Sequence, residues 1–232
     1  MSPLYILILV GTMALSLYAS WRIKAAYNRY SQVPASSGLT GAQIAQRILD
    51  LNNIHDVEVV PTQGLLSDHY DPTHKRLVLC EENYYGTNVA ALGVAAHEAG
   101  HAIQHKQLYA PLQWRMAAVG ITNIASNIVM WVPLVGAFTG LFSMTTMLTI
   151  MAFGFGILVF FQLITLPVEF DATARAKRIL AHTGAVREGN ETTSMNKVLD
   201  AAAFTYVAAF ISTLSWFLYH LLPLLGGRSS DE

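Results

Sequence analysis

Four uninterrupted apolar runs limit what this chain can fold into. They are Pro3–Trp21, Ala117–Phe138, Phe142–Leu166 and Ala202–Leu225, and none holds an Asp, Glu, Lys or Arg. A helix needs about 20 such residues to cross a bilayer, because in hydrocarbon every backbone N–H and C=O must be satisfied inside the helix. The runs therefore predict four transmembrane helices. The second is the least apolar, with Asn123, Ser126, Asn127 and Pro133 inside it. Composition points the same way: 12% of residues are charged, against about 25% in soluble domains. The net charge of −1 offers no basic excess for nucleic acid.

The first run is expected to stay as an anchor. "YAS" at 18–20 resembles a cleavage site, but no positive residue precedes the run, whereas Arg22, Lys24 and Arg29 follow it. A cleaved signal carries its charge in front. Cytoplasmic loops carry the excess of Lys and Arg. With the N-terminus outside, the inner segments are 22–116 and 167–201, which hold 13 of the 14 Lys and Arg residues. Both termini are then outside, and the short uncharged 136–141 connection is an outer hairpin. The single cysteine, Cys80, fits a reducing interior and rules out an internal disulfide.

The inner segments have readable local patterns. "PASSG" at 34–38 reads as a linker. Residues 40–53 carry apolar positions at 44, 45, 48, 49 and 51, the period of an amphipathic helix. "DVEVV" at 56–60 alternates as a strand does, and a turn at Asp71–Pro72 leads into a second strand over 76–80. Thr87 is expected to cap a helix from 88 to 106, and a further helix starts at 167.

The predicted helix over 88–106 contains "HEAGHAIQH". His97 and His101 are four residues apart, so both imidazoles lie on one helical face and can share an ion. Glu98 is turned about 100° away and reaches a water rather than the metal. Zinc lowers the pKa of such a water to about 7. Glu98 is then the general base that takes its proton and delivers it to the leaving amine. His105 lies about 12 Å along the axis from His97, too far to join the same ion, and is expected behind the site or in solvent.

A third ligand must come from elsewhere, leaving one position open. Glu169 sits among apolar neighbours in "LPVEF", where an unpaired carboxylate is costly. Asp171 is the next choice, and His69 and His74 are weaker ones. Glu169 and Asp171 point about 200° apart on a helix, so they do not both bind. Glu81 and Glu82 read as a solvated strand end. The strand over 76–80 could pair along an open edge with an extended substrate. Arg175 is one candidate for stabilising an oxyanion.

"SDHYDPTHKRLVLCEENY", "VAAHEAGHAIQH", "LPVEFDATARAKRIL" and "VLDAAAFTYVAA" occur in that order along the chain. Together they resemble the YugP-type family of bacterial membrane zinc metallopeptidases. The resemblance implies a gluzincin-like peptidase with His97, His101 and Glu169 as ligands of one zinc ion and Glu98 as base. It also implies a bacterial plasma-membrane protein. More distantly the chain is similar to the prenyl-protease and heat-shock membrane protease group. There an aspartate four residues after the ligand glutamate supports a ligand histidine. Here that position is Thr173, so the support must differ.

The expected fold is a predominantly α membrane protein of about four transmembrane helices, with a small cytoplasmic α+β zincin-like catalytic domain. Its parts are an anchor (1–21), the catalytic segment (22–116), a membrane hairpin (117–166), a cytoplasmic helix with the third ligand (167–201), and a last span with an outer tail (202–232). The expected partners are the lipid bilayer and a peptide or protein substrate, including membrane-associated ones. A metal-binding scaffold without proteolytic activity is the alternative. A transporter fits less well, because spans free of charge offer no ion path.

Overall fold

A computed structural model describes residues 2–64 and 67–226. In chain order its elements are α1 (Pro3–Tyr30), α2 (Gly41–Leu51), β1 (Glu58–Thr62), β2 (His69–Asp71), β3 (Arg76–Cys80), α3 (Glu81–Tyr84), α4 (Val89–Lys106), α5 (Ala110–Thr139), α6 (Met144–His182) and α7 (Asn190–Gly226). The protein is mostly helical. The four apolar runs lie within α1, α5, α6 and α7, each long and apolar enough to cross a membrane. Their outward surface is apolar: Leu7, Phe138, Met144 and Phe153 are each more than two-thirds exposed. A continuous surface of this kind suits lipid rather than water.

The chain divides into two compact units. One comprises α1 as far as Tyr18, Trp114–Leu166, and the chain from Tyr206 onward. Small residues let its helices approach closely. Ala125 of α5 is fully buried, and a Cβ on Gly154 of α6 would stand 2.8 Å from Val129 of α5.

The other unit comprises Ala19–Gln113 and Pro167–Thr205. Its three-stranded sheet has the order β1-β3-β2. β1 runs parallel to β3, with Glu58 opposite Arg76, and β2 runs antiparallel to it, with His69 opposite Val78. The expected strand at 76–80 is therefore the central one. Both its edges are paired, so it cannot accept a substrate strand; the free edges belong to β1 and β2. The expected strand at 56–60 is shifted to Glu58–Thr62. The stretch read only as leading to a turn contains β2, and the turn follows it: Asp71 Oδ1 accepts from the N–H groups of Thr73 and His74.

α2 starts on a capping box, in which Thr40 and Gln43 each satisfy the other's backbone N–H. Ile44, Ala45, Ile48 and Leu49 are its fully buried face. They pack with Leu77 and Leu79 of β3 and with Val89, Leu92, Ala95 and Ala99 of α4. Each such leucine or isoleucine contributes about 1.5–3 kcal/mol on burial. The cap of α4 is Asn88, not Thr87: its side chain accepts from the N–H of Ala91. "PASSG" is tied down rather than loose. Ala35 donates to Thr87 O, and Ser36 N–H donates to the Glu191 carboxylate. Glu81 and Glu82 are exposed, in the first turn of α3.

α4 and α6 meet at one glycine. A Cβ on Gly100 would lie 3.1 Å from the carbonyl oxygen of Ala172 and 3.3 Å from its Cα. Without that side chain the two backbones pass nearly in contact. This predicts that Gly100→Val over-packs the crossing and costs about 1–3 kcal/mol. Thermal melting of the detergent-solubilised protein measures it, and a wild-type melting temperature would contradict the contact.

Candidate metal centre

α4 carries His97 and His101 one turn apart, and α6 carries Glu169 at the same crossing. His97 Nε2 is 3.2 Å from Glu169 Oε2, and His101 Nε2 is 3.6 Å from the same oxygen. One ligand atom from each residue falls in a group spanning at most 4.8 Å, which could hold a metal ion. Two ligands about 2.0–2.1 Å from a tetrahedral zinc lie about 3.4 Å apart, so the observed separations suit one ion.

Burial makes this carboxylate unusual. Glu169 is 1% exposed, and an ionised carboxylate in such a place requires positive charge beside it. Glu98 is also buried, at 8% exposure. Burial alone would lower the pKa of His101; the hydrogen bond to Glu169 and the charges of Glu98 and Glu169 outweigh it, and the imidazole titrates above its ordinary range. A buried carboxylate set against two imidazole nitrogens favours a divalent cation there. Two imidazoles and one carboxylate are a donor set that suits zinc.

Each imidazole is supported on its other nitrogen by a neutral group. His97 Nδ1 is 3.3 Å from the Thr173 hydroxyl. His101 Nδ1 is 3.0 Å from Oε1 of Gln104. Thr173, one turn after Glu169 on α6, thus supports a ring of the centre through its hydroxyl. Gln104 is fully buried; its amide donates to Val168 O at 2.9 Å and to Asp171 Oδ2 at 2.8 Å. Sequence reasoning missed Gln104. The available signal was its place three residues after His101, as a polar residue on the same face of an alanine-rich helix.

The remaining candidates lie elsewhere. Asp171 does not join the group of three; it accepts from Gln104 and from Arg175 Nε. Arg175 also donates to Gln107, so its guanidinium is engaged in bracing α6 against α4. His105 faces Tyr70 of β2, with its Nδ1 2.8 Å from the phenol oxygen. Burial, then the charges of Asp56 and Asp71, push the Tyr70 hydroxyl up to about 12. It stays protonated and shares a hydrogen bond with His105. These two side chains line a separate cavity of about 560 Å³ with Asp56, Lys75 and Lys106. His69 is exposed and lies beside Ser67 O, and His74 pairs with Asp71; neither reaches the centre.

Residues 5–224 match the family described as "Putative neutral zinc metallopeptidase". The chain is 43% identical over 228 residues to "Putative membrane protease YugP" of Bacillus subtilis (strain 168), covering 98% of this chain and 100% of that protein. No solved structure matches the chain significantly. With both matches running nearly end to end, the chain belongs to this neutral zinc metallopeptidase family.

Proposed function

We propose that the protein is a membrane-embedded zinc endopeptidase with its active site on the cytoplasmic side. The observation that carries this reading is the buried Glu169 carboxylate set against the Nε2 atoms of His97 and His101. Those three residues hold one zinc ion, and Glu98 on the next position of the same helix is the base. When bound, zinc supplies Lewis-acid chemistry that polarises a carbonyl and acidifies water to a pKa of about 7.

This chain's own residues do the rest. Glu98 carries a carboxylate beside His101 and takes no side-chain hydrogen bond from any described residue, so it is available to accept a proton and pass it to the leaving amine. Glu169 and the two imidazoles fix the ion. Thr173 and Gln104 orient the rings. The low exposure of the site strengthens every one of these electrostatic interactions.

Location and substrate follow from charge and sequence position. All Lys and Arg residues but Arg228 fall in the two segments between the first and second and between the third and fourth apolar runs, which supports a cytoplasmic site. Glu169 comes three residues after the third run ends. Peptide segments near the membrane surface are the substrates this position favours, including parts of other membrane proteins.

Three expectations follow. Glu98→Gln retains one zinc per chain but loses at least about 100-fold in cleavage of a peptide library. His97→Ala and Glu169→Ala lose the metal itself, by elemental analysis of the purified protein. Metal retained together with unchanged cleavage in Glu98→Gln would reject the base, and a zinc-loaded wild type that cleaves nothing would favour a scaffold. Zinc affinity should also rise with pH through the raised pKa of His101 and level off above it, because the ring must lose its proton to bind. Competition titrations between pH 6 and 9 read this, and a flat profile would contradict it.

Topology has its own test. Cys80 is buried and its thiol is pushed up to about 11, by burial first and then by the charge of Asp68, so the native chain gives little thiol background. Leu141→Cys, in the α5–α6 connection, should label on intact cells with a membrane-impermeant maleimide. Labelling only after lysis would reverse the orientation.

A further inference from the structure

We infer that Gln104 selects the tautomer of His101 and ties it to the placement of Glu169. The consequence for zinc depends on the metallopeptidase reading, whereas the cause is hydrogen-bond chemistry alone. Gln104 is fully buried, and its side-chain amide has three neighbours: Val168 O, Asp171 Oδ2 and His101 Nδ1. A backbone carbonyl and a carboxylate only accept hydrogen bonds. Both therefore require the N–H groups of the amide, and the two N–H groups are used up. The amide has one orientation left, with its carbonyl oxygen toward His101.

A carbonyl oxygen also only accepts. His101 must then present Nδ1–H to it, and in the neutral ring this leaves the lone pair on Nε2. Nε2 is the atom 3.6 Å from Glu169 Oε2. The opposite tautomer would set a lone pair against the carbonyl oxygen inside the protein and put a proton where the ion binds.

The two residues that orient the amide, Val168 and Asp171, flank Glu169 on α6. Asp171 is itself held by Arg175 Nε one turn further on. The choice of tautomer on α4 is thus read from the segment of α6 that carries the third ligand. If α6 slid or rotated at this point, Glu169 would leave the site, and the amide would lose both acceptors that orient it. Gln104 is a positioning residue: it touches neither substrate nor ion.

The test uses full-length protein in detergent. Gln104→Met keeps the length and bulk of the side chain and removes its polar atoms. Two readouts are taken: zinc affinity by chelator competition, and the protonation of the His101 ring nitrogens by ¹⁵N NMR of metal-free, histidine-labelled protein at alkaline pH. Wild type should show the Nδ1–H form. Gln104→Met should show loss of that preference and a zinc affinity about 10- to 100-fold weaker, the usual effect of removing a hydrogen-bond partner of a metal-bound histidine. Helix packing alone would not move the ring tautomer.

The same tautomer in both proteins, or equal zinc affinities, would overturn the inference. If Gln104→Met does not fold, Asp171→Ala carries the test. It removes the acceptor of one amide N–H group, releases one of the two restraints on the amide, and should weaken zinc binding several-fold; unchanged affinity there overturns the inference. If wild type itself binds no zinc through His97 and His101, the proposed function fails, while the NMR comparison still decides the role of Gln104.

Discussion

One buried carboxylate organises the centre. Glu169 is nearly inaccessible, and two imidazoles within a few ångströms help sustain its charge there. That proximity depends on α4 and α6 crossing almost backbone to backbone. Gly100 against Ala172 makes the crossing possible, and the Gln104 amide bonded to Val168 and Asp171 fixes its register. The core of Ile44, Ile48, Leu49, Leu77 and Leu79 packs with α4, so the helix that carries the histidines is braced by it.

The supports of the two imidazoles are neutral: a threonine hydroxyl for His97 and a glutamine amide for His101. A carboxylate in either place would push more electron density into the ring and add negative charge beside the ion. Among the described residues, the carboxylates beside these imidazoles are Glu169 and Glu98. Asp171, the next carboxylate along α6, has its charge met by Arg175. A cation held this way would keep more of its own positive charge for polarising a carbonyl and acidifying water.

Much of this arrangement was legible in the sequence, for physical reasons. Uncharged apolar runs and the i, i+4 spacing of His97 and His101 are local signals with a fixed geometric meaning, and the structure has helices at both. The buried face of α2 was visible as a 3.6-residue period. Signals that depend on distant chain were not visible. The sheet order, which puts β3 in the centre, is a fact of tertiary pairing that no single strand encodes. β2 has only three residues and sits beside a Pro-containing turn, so the turn masked it. Thr87 and Asn88 are both good caps by type; only the backbone path decides that Asn88 accepts from Ala91. Gln104 was hidden because the two partners that its amide N–H groups bind lie more than 60 residues away on α6.

The central claim is that one zinc ion is bound by His97, His101 and Glu169. X-ray absorption at the zinc edge of the purified, zinc-loaded protein tests it most directly. The account predicts a shell of nitrogen and oxygen near about 2.0–2.1 Å, with the outer-shell scattering of two imidazoles and no sulfur. Scattering from fewer than two imidazoles, or a sulfur ligand at about 2.3 Å, would contradict it.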